Sequence, residues 1–217
     1  MTEGGFIGMD LASSPASPTA CIGLGADLSL SFVGLLRHDA DLVALVVSEK
    51  PSLTAIDAPL TLPQGQCCLE ESCGCQPQHG RGRECERGLA KMGIPCYFTT
   101  KRSIIKKMAC RGLALRKTLE SRGFPVIEIY PYASKVLLWG RPIPSKSKPG
   151  GLAFLRAKLA ELVPGLSAYT ADFSHHLGDA AVAAYTAYLH SRGETEQLGT
   201  LEEGVISIPR RPGASLG

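Results

Sequence analysis

Two short runs in this chain, Phe6 to Leu11 and Leu53 to Asp57, are almost wholly apolar, yet each delivers an aspartate at or near its end. A short apolar run bounded by turn signals reads as a buried strand, and Ala58-Pro59 stops the second one at once. A fold built on such strands must place them centrally in a sheet and must find a partner for each acid leaving the core. Glu128, inside Pro-Val-Ile-Glu-Ile-Tyr-Pro, and Asp179, opening Gly-Asp-Ala-Ala-Val-Ala-Ala, occur in similar settings. An ionised carboxylate near an apolar core is expensive unless it is paired, protonated or bound to a cation. Four acids delivered from core elements therefore point to a hard cation, Mg2+ or Mn2+. Such ions activate water and stabilise the leaving oxygen of a phosphodiester, so Asp10, Asp57, Glu128 and Asp179 are the candidate catalytic and metal-binding residues. Each also has a plainer reading. Asp10 can begin a turn, Asp57 can accept backbone hydrogen bonds at a strand end, and Asp179 can cap a helix.

The remaining pattern sets the fold class. Phe6 to Leu11, Thr19 to Gly25 and Leu28 to Leu36 read as three antiparallel strands, the last two joined by a turn at Ala26-Asp27. Asp39 to Glu49 has the apolar spacing of a helix, with Asp39 as its cap. Leu53 to Asp57 and Val126 to Tyr130 are further strands, and Ser103 to Ser121 is an amphipathic helix stopped by Gly123. Arg141 to Gly151 reads as a loop, Leu152 to Leu162 and Leu177 to His190 as helices, and Gly204 to Ile208 as a last strand. Three antiparallel strands followed by parallel strands, with flanking helices, make an α/β fold with a mixed sheet. The chain has 217 residues, 44% of them hydrophobic, enough for one sizeable core. The expectation is a single domain over 1–209, an insertion at 64–96 and a flexible tail at 210–217.

Six of the eight cysteines fall in that insertion: Cys67, Cys68, Cys73, Cys75, Cys85 and Cys96. Thiolates this dense in a segment poor in apolar residues can replace hydrophobic burial with metal–sulfur bonds. Zn2+ held by four of the six and an iron–sulfur cluster both remain open, beside the plain reading of reduced free thiols. Nothing in the sequence resembles a membrane span or a signal peptide, so a cytoplasmic protein is expected, a setting in which cysteines stay reduced. Net charge is only +3, but Lys101 to Arg122 holds eight basic residues against one acid, Glu120. Such a window attracts phosphates, and Lys101, Arg102, Lys106, Lys107 and Arg111 are the candidate nucleic-acid contacts, directed at backbone and not at bases. The plainer reading is a solvated helix face. Tyr130, Tyr132 and Trp139 can stack on a base or pack in the core.

Five segments together resemble the family known as domain of unknown function 429. They are Gly-Met-Asp-Leu-Ala (8–12), Ile-Asp-Ala-Pro-Leu (56–60), Arg-Glu-Cys-Glu-Arg-Gly-Leu (83–89), Glu-Ile-Tyr-Pro (128–131) and Gly-Asp-Ala-Ala-Val-Ala-Ala (178–184). The resemblance runs from about residue 5 to about residue 190 and implies an RNase H-like fold, nuclease activity, and Asp10, Asp57, Glu128 and Asp179 as metal-binding carboxylates. Members of that family often carry an acid shortly before the last Asp-Ala pair. Here His176 stands three residues before Asp179, and Asp172 seven. Three functions follow: a metal-dependent nuclease acting on DNA or RNA, a non-catalytic RNase H-like module that binds nucleic acid or protein, and an actin-like or sugar-kinase-like phosphotransferase. The last needs no P-loop, and none is present.

Overall fold

A computed structural model describes residues 4–146, 148–169 and 173–211. Asp172 and residues 212–217 of the expected tail lie outside the described residues. Strands β1 (Phe6–Asp10), β2 (Thr19–Leu24) and β3 (Leu30–Leu36) form an antiparallel meander. Helix α1 (Asp39–Glu49) then leads to β4 (Leu53–Asp57), which lies parallel to β1. After α2 (Glu84–Lys91) and α3 (Lys106–Glu120), β5 (Val126–Ile129) joins β4 in parallel. Helices α4 (Pro131–Trp139), α5 (Pro149–Leu162) and α6 (His175–Ser191) precede a hairpin of β6 (Thr195–Thr200) and β7 (Gly204–Pro209), and β7 lies parallel to β5. The seven-stranded order is β3-β2-β1-β4-β5-β7-β6, an α/β fold with a mixed sheet that is RNase H-like in its first five strands.

Side chains alternate across a sheet, which sorts this core into two layers. Ile7, Met9 and Ile56 pack with Leu42 and Val46 of α1 and Leu115 and Leu119 of α3. Phe6, Leu53 and Ala55 face the other way, onto Ala183 and Ala187 of α6. At Gly8 an added Cβ would stand 2.1 Å from the carbonyl oxygen of Ala180 and 2.2 Å from the nitrogen of Ala184. The helix backbone therefore rests directly on the strand, and only glycine leaves room for it. Ala180, Ala181, Ala183 and Ala184 are fully buried, so the alanine-rich run is the packing face of α6.

Several elements differ from the sequence expectation. Helix α6 starts at His175, capped by Ser174, whose hydroxyl accepts from the Leu177 N–H at 3.2 Å. Asp179 is thus inside the second turn and does not cap the helix. Pro131 opens α4 at its first turn, where its missing N–H is harmless, instead of merely ending a strand. Residues 84–91 form α2, and its Cys85 and Leu89 join Ile94, Ile206 and Ile208 in the core. Among the described residues no helix is long and apolar enough to cross a membrane.

Candidate functional site

The parallel pairing of β1 and β4 sets Asp10 directly opposite Asp57, each the last residue of its strand. Their side chains lie on the α6 side of the sheet, and the first two turns of α6 bring His176 and Asp179 to the same edge. His176 Nδ1 is 2.5 Å from Asp10 Oδ2, and this hydrogen bond raises the imidazole pKa. Asp179 is buried and accepts from Lys135 Nζ of α4 at 2.6 Å and from Lys146 Nζ at 3.0 Å. Asp57 is different. Burial, and then the neighbouring Asp10 and Asp179 carboxylates, push its pKa well above the usual carboxylate range against the opposing pull of Lys146 and Lys135. Among the described residues its carboxylate accepts no hydrogen bond and makes no ion pair.

Three carboxylates and an imidazole are a donor set suited to a hard or borderline divalent cation. The partnerless Asp57 carboxylate, crowded by like charge, is the group such a cation would satisfy. Among the described residues the acids do not form one closed shell, for their ligand atoms do not all lie within 4.8 Å of one another. Lys135 and Lys146 neutralise Asp179 in that arrangement. His175, beside His176, has a buried Nδ1 with no partner among the described residues and a pKa lowered by burial.

Glu128, expected as a further metal ligand, is placed elsewhere. It pairs in register with Ile56 and not with Asp57, so alternation turns it to the opposite face. There it accepts from both terminal nitrogens of Arg83, at 2.6 and 2.5 Å, and from the Leu60 N–H at 2.8 Å. Arg83, 1% exposed, also bonds Glu86 Oε1 at 3.0 Å and Thr61 Oγ1 at 2.9 Å. Burial opposes the guanidinium charge, and Glu128 outweighs it, holding Arg83 firmly protonated. Asp57 and Glu128 border one small cavity of about 70 Å³, but Glu128 accepts three hydrogen bonds and serves Arg83 as its buried counter-ion.

The cysteines divide. Cys67, Cys68, Cys73 and Cys75 place their sulfurs within 4.8 Å of one another, with Cys67 Sγ and Cys73 Sγ 3.6 Å apart. Backbone hydrogen bonds at Cys68 and Cys67 bring Cys75 down to about 6, while hydrogen bonding to Cys73, Cys75 and Cys68 pushes Cys67 up to about 12. A mixed set of this kind is one that a thiophilic metal would deprotonate throughout. Cys85 and Cys96 do not join it. Cys85 is fully buried beneath α2, and Cys96 Sγ contacts the Glu86 carbonyl at 3.6 Å. Burial pushes these thiols up to about 12 and about 11.

The basic window is also largely engaged within the fold. Lys101 Nζ donates to the carbonyls of Cys73 and Cys75, the latter at 2.6 Å. Arg102 pairs with Glu71 at 3.0 Å and Lys106 with Glu70 at 3.3 Å, so all three brace the cysteine loop against the start of α3. Arg111 is buried. It bonds Asp39 at 2.6 Å and the carbonyls of Ala12 and Arg37 at 2.8 Å each, which corrects its assignment as a nucleic-acid contact and makes it the anchor of the chain leaving Asp10. Lys107 alone of the five candidates is exposed with no partner among the described residues.

Comparison with known proteins adds a family and a fold-level likeness. The chain matches the family described as "Protein of unknown function (DUF429)" over residues 8–203. Among solved structures it is similar to T. thermophilus RuvC in complex with Holliday junction substrate, at 12% identity over 88% of this chain and 96% of that one, TM-score 0.49. A second Thermus thermophilus RuvC structure gives 14% identity, 87% and 96% coverage and a TM-score of 0.48. No curated protein matches the chain.

Proposed function

Because the chain belongs to the DUF429 family, whose function is unknown, we propose from its own residues that it is a divalent-metal-dependent nuclease hydrolysing phosphodiester bonds in DNA or RNA. The observation that supports this reading is Asp57, a carboxylate without a partner among the described residues, paired in register with Asp10 and crowded by Asp179. Asp10, Asp57, Asp179 and His176 hold Mg2+ or Mn2+. When bound, the cation supplies an activated water and charge stabilisation for the leaving oxygen. His176 orients Asp10 through its Nδ1 contact. Lys135 holds Asp179 from the buried side, and the largely exposed Lys146 exchanges Asp179 for a substrate phosphate oxygen. In this reading residues 1–209 are one domain with 64–96 as its insertion. Cys67, Cys68, Cys73 and Cys75 hold one Zn2+ that stiffens the insertion, with an iron–sulfur cluster as the alternative that metal analysis separates.

A second reading is a non-catalytic module that binds nucleic acid. It is favoured by the double lysine pairing of Asp179 and by the spread of the ligand atoms. Incubation of a labelled oligonucleotide with Mn2+ separates the two. Cleavage by the parent that falls by at least about a hundredfold in Asp10→Asn, as removal of one key charge-stabilising group predicts, supports hydrolysis. Binding without cleavage in both proteins overturns it.

A further inference from the structure

Beside the acid edge lies a cavity of about 420 Å³ that brings charged and aromatic side chains together. Asp57 and Asp179 line one side, with Lys135 and Lys146 next to them. Tyr130, Tyr132, Ile143 and Pro144 form much of the remainder. Tyr130 is fixed in place, its hydroxyl donating to the Pro95 carbonyl at 2.8 Å, and the two tyrosine rings stand 6.4 Å apart and tilted by 56°. Trp139 takes no part, since at the last residue of α4 it packs edge-on against Phe154.

We propose that this cavity receives one unpaired nucleotide, the base against Tyr132 and its phosphate at Lys146, so that the chain acts on single-stranded or locally unpaired nucleic acid. The inference rests on the hydrolytic reading of Asp57 and Asp179 and names the substrate class for it. The volume falls within the range of small-ligand sites, fits a single nucleotide and is far too small for a duplex. A base within a duplex has both faces covered by its neighbours, and only an unstacked base can offer one to an aromatic ring. Two cationic side chains beside aromatic and proline walls match the two halves of a nucleotide, anionic phosphate and flat base. Because two of the carboxylates share the lining, the phosphate belonging to that nucleotide is the one brought to them.

The test measures binding separately from cleavage. In the Asp10→Asn background with Mn2+, fluorescence anisotropy is read for a labelled strand of about 12 nucleotides, as DNA and as RNA, and for the same sequence as a closed hairpin duplex. The strand is expected to bind more tightly than the duplex. Tyr132→Ala is expected to weaken strand binding by about tenfold, the scale of one base–aromatic stack, with duplex binding unchanged and with Tyr132→Phe close to the parent. Ile143→Ala, on a different segment, gives an independent loss in the same direction if Tyr132→Ala folds poorly. Equal binding of strand and duplex, or neither variant weakening the strand, overturns the proposal. A free nucleoside monophosphate binding as tightly as the strand also overturns it, in favour of a small-molecule site. If the parent with Mn2+ cleaves nothing while strand binding still depends on Tyr132, the cavity assignment stands and the hydrolytic reading falls. If cleavage occurs and is indifferent to both variants, the reverse holds.

Discussion

Replacing Glu128 separates a structural counter-ion from a metal ligand. In Glu128→Gln the volume is kept, but the buried Arg83 loses the charged partner that receives two of its nitrogens at 2.6 and 2.5 Å. Breaking one side of a buried pair costs about 3–5 kcal/mol, because the remaining charge stays desolvated. Arg83 keeps Glu86 at 3.0 Å, which places the expected loss at the lower end, about 3 kcal/mol. With a urea dependence of about 2 kcal/mol per molar, the unfolding midpoint falls by about 1.5 M. Adding Arg83→Met removes the cation but also strips the buried Glu86 of its ion pair, so the two losses are expected to be less than additive, the sign of coupling in a double-mutant cycle. The measurements are urea denaturation followed by circular dichroism and Mn2+ binding by calorimetry, with metal affinity expected to be close to the parent's. A midpoint that hardly moves while metal affinity collapses would refute this account and return Glu128 to the metal site.

Asp57→Asn is expected to stabilise chelator-treated protein at neutral pH. The folded carboxyl has a raised pKa, so the parent's Asp57 contribution is fully present below the unfolded value, about 3.9, and is lost as pH rises through the folded one. The advantage of the variant should therefore grow with pH, and thermal melts showing it shrink would contradict the sign. Metal analysis is expected to return one Zn2+ per chain, lost in Cys73→Ser and retained in Cys85→Ala; equal loss in both variants would count against the four-sulfur assignment. Gly8→Ala should destabilise by about 3 kcal/mol or more, beyond ordinary overpacking, because the obstacle is helix backbone; chemical denaturation checks this, and a change under about 1 kcal/mol would sink it.

What could be read along the chain was what depends on local pattern. The apolar runs that end in Asp10 and Asp57 identified central strands, and the sheet joined those ends because parallel neighbours bring like termini together. Glu128 lies on the opposite face from Asp57 because one step of register decides which face a strand residue occupies, and register is set by packing across the sheet. His176 was visible as a departure from an expected acid, and its spacing from Asp179 places both on one face of a helix. Lys135 was hidden because Pro131, which in the sequence reads as the stop of a strand, opens α4. Counting charges marked Arg111 as a surface cation, whereas its partners, Asp39 and the carbonyls of Ala12 and Arg37, come from distant segments. Strand β6, Thr-Glu-Gln-Leu-Gly-Thr, lies at the sheet edge and carries little apolar signal.

The bare contact between Gly8 and α6 also bears on how such a protein can change. Side chains yield by switching rotamers, but a carbonyl seated over a glycine has no alternative pose, so the relative position of Asp10 and the His176–Asp179 turn is as stiff as the main chain itself. Adapting this edge to another ion or another substrate cannot proceed by gradual remodelling of the interior beneath it. It must come through exchange of the ligating residues, or through the lysines and tyrosines that surround them.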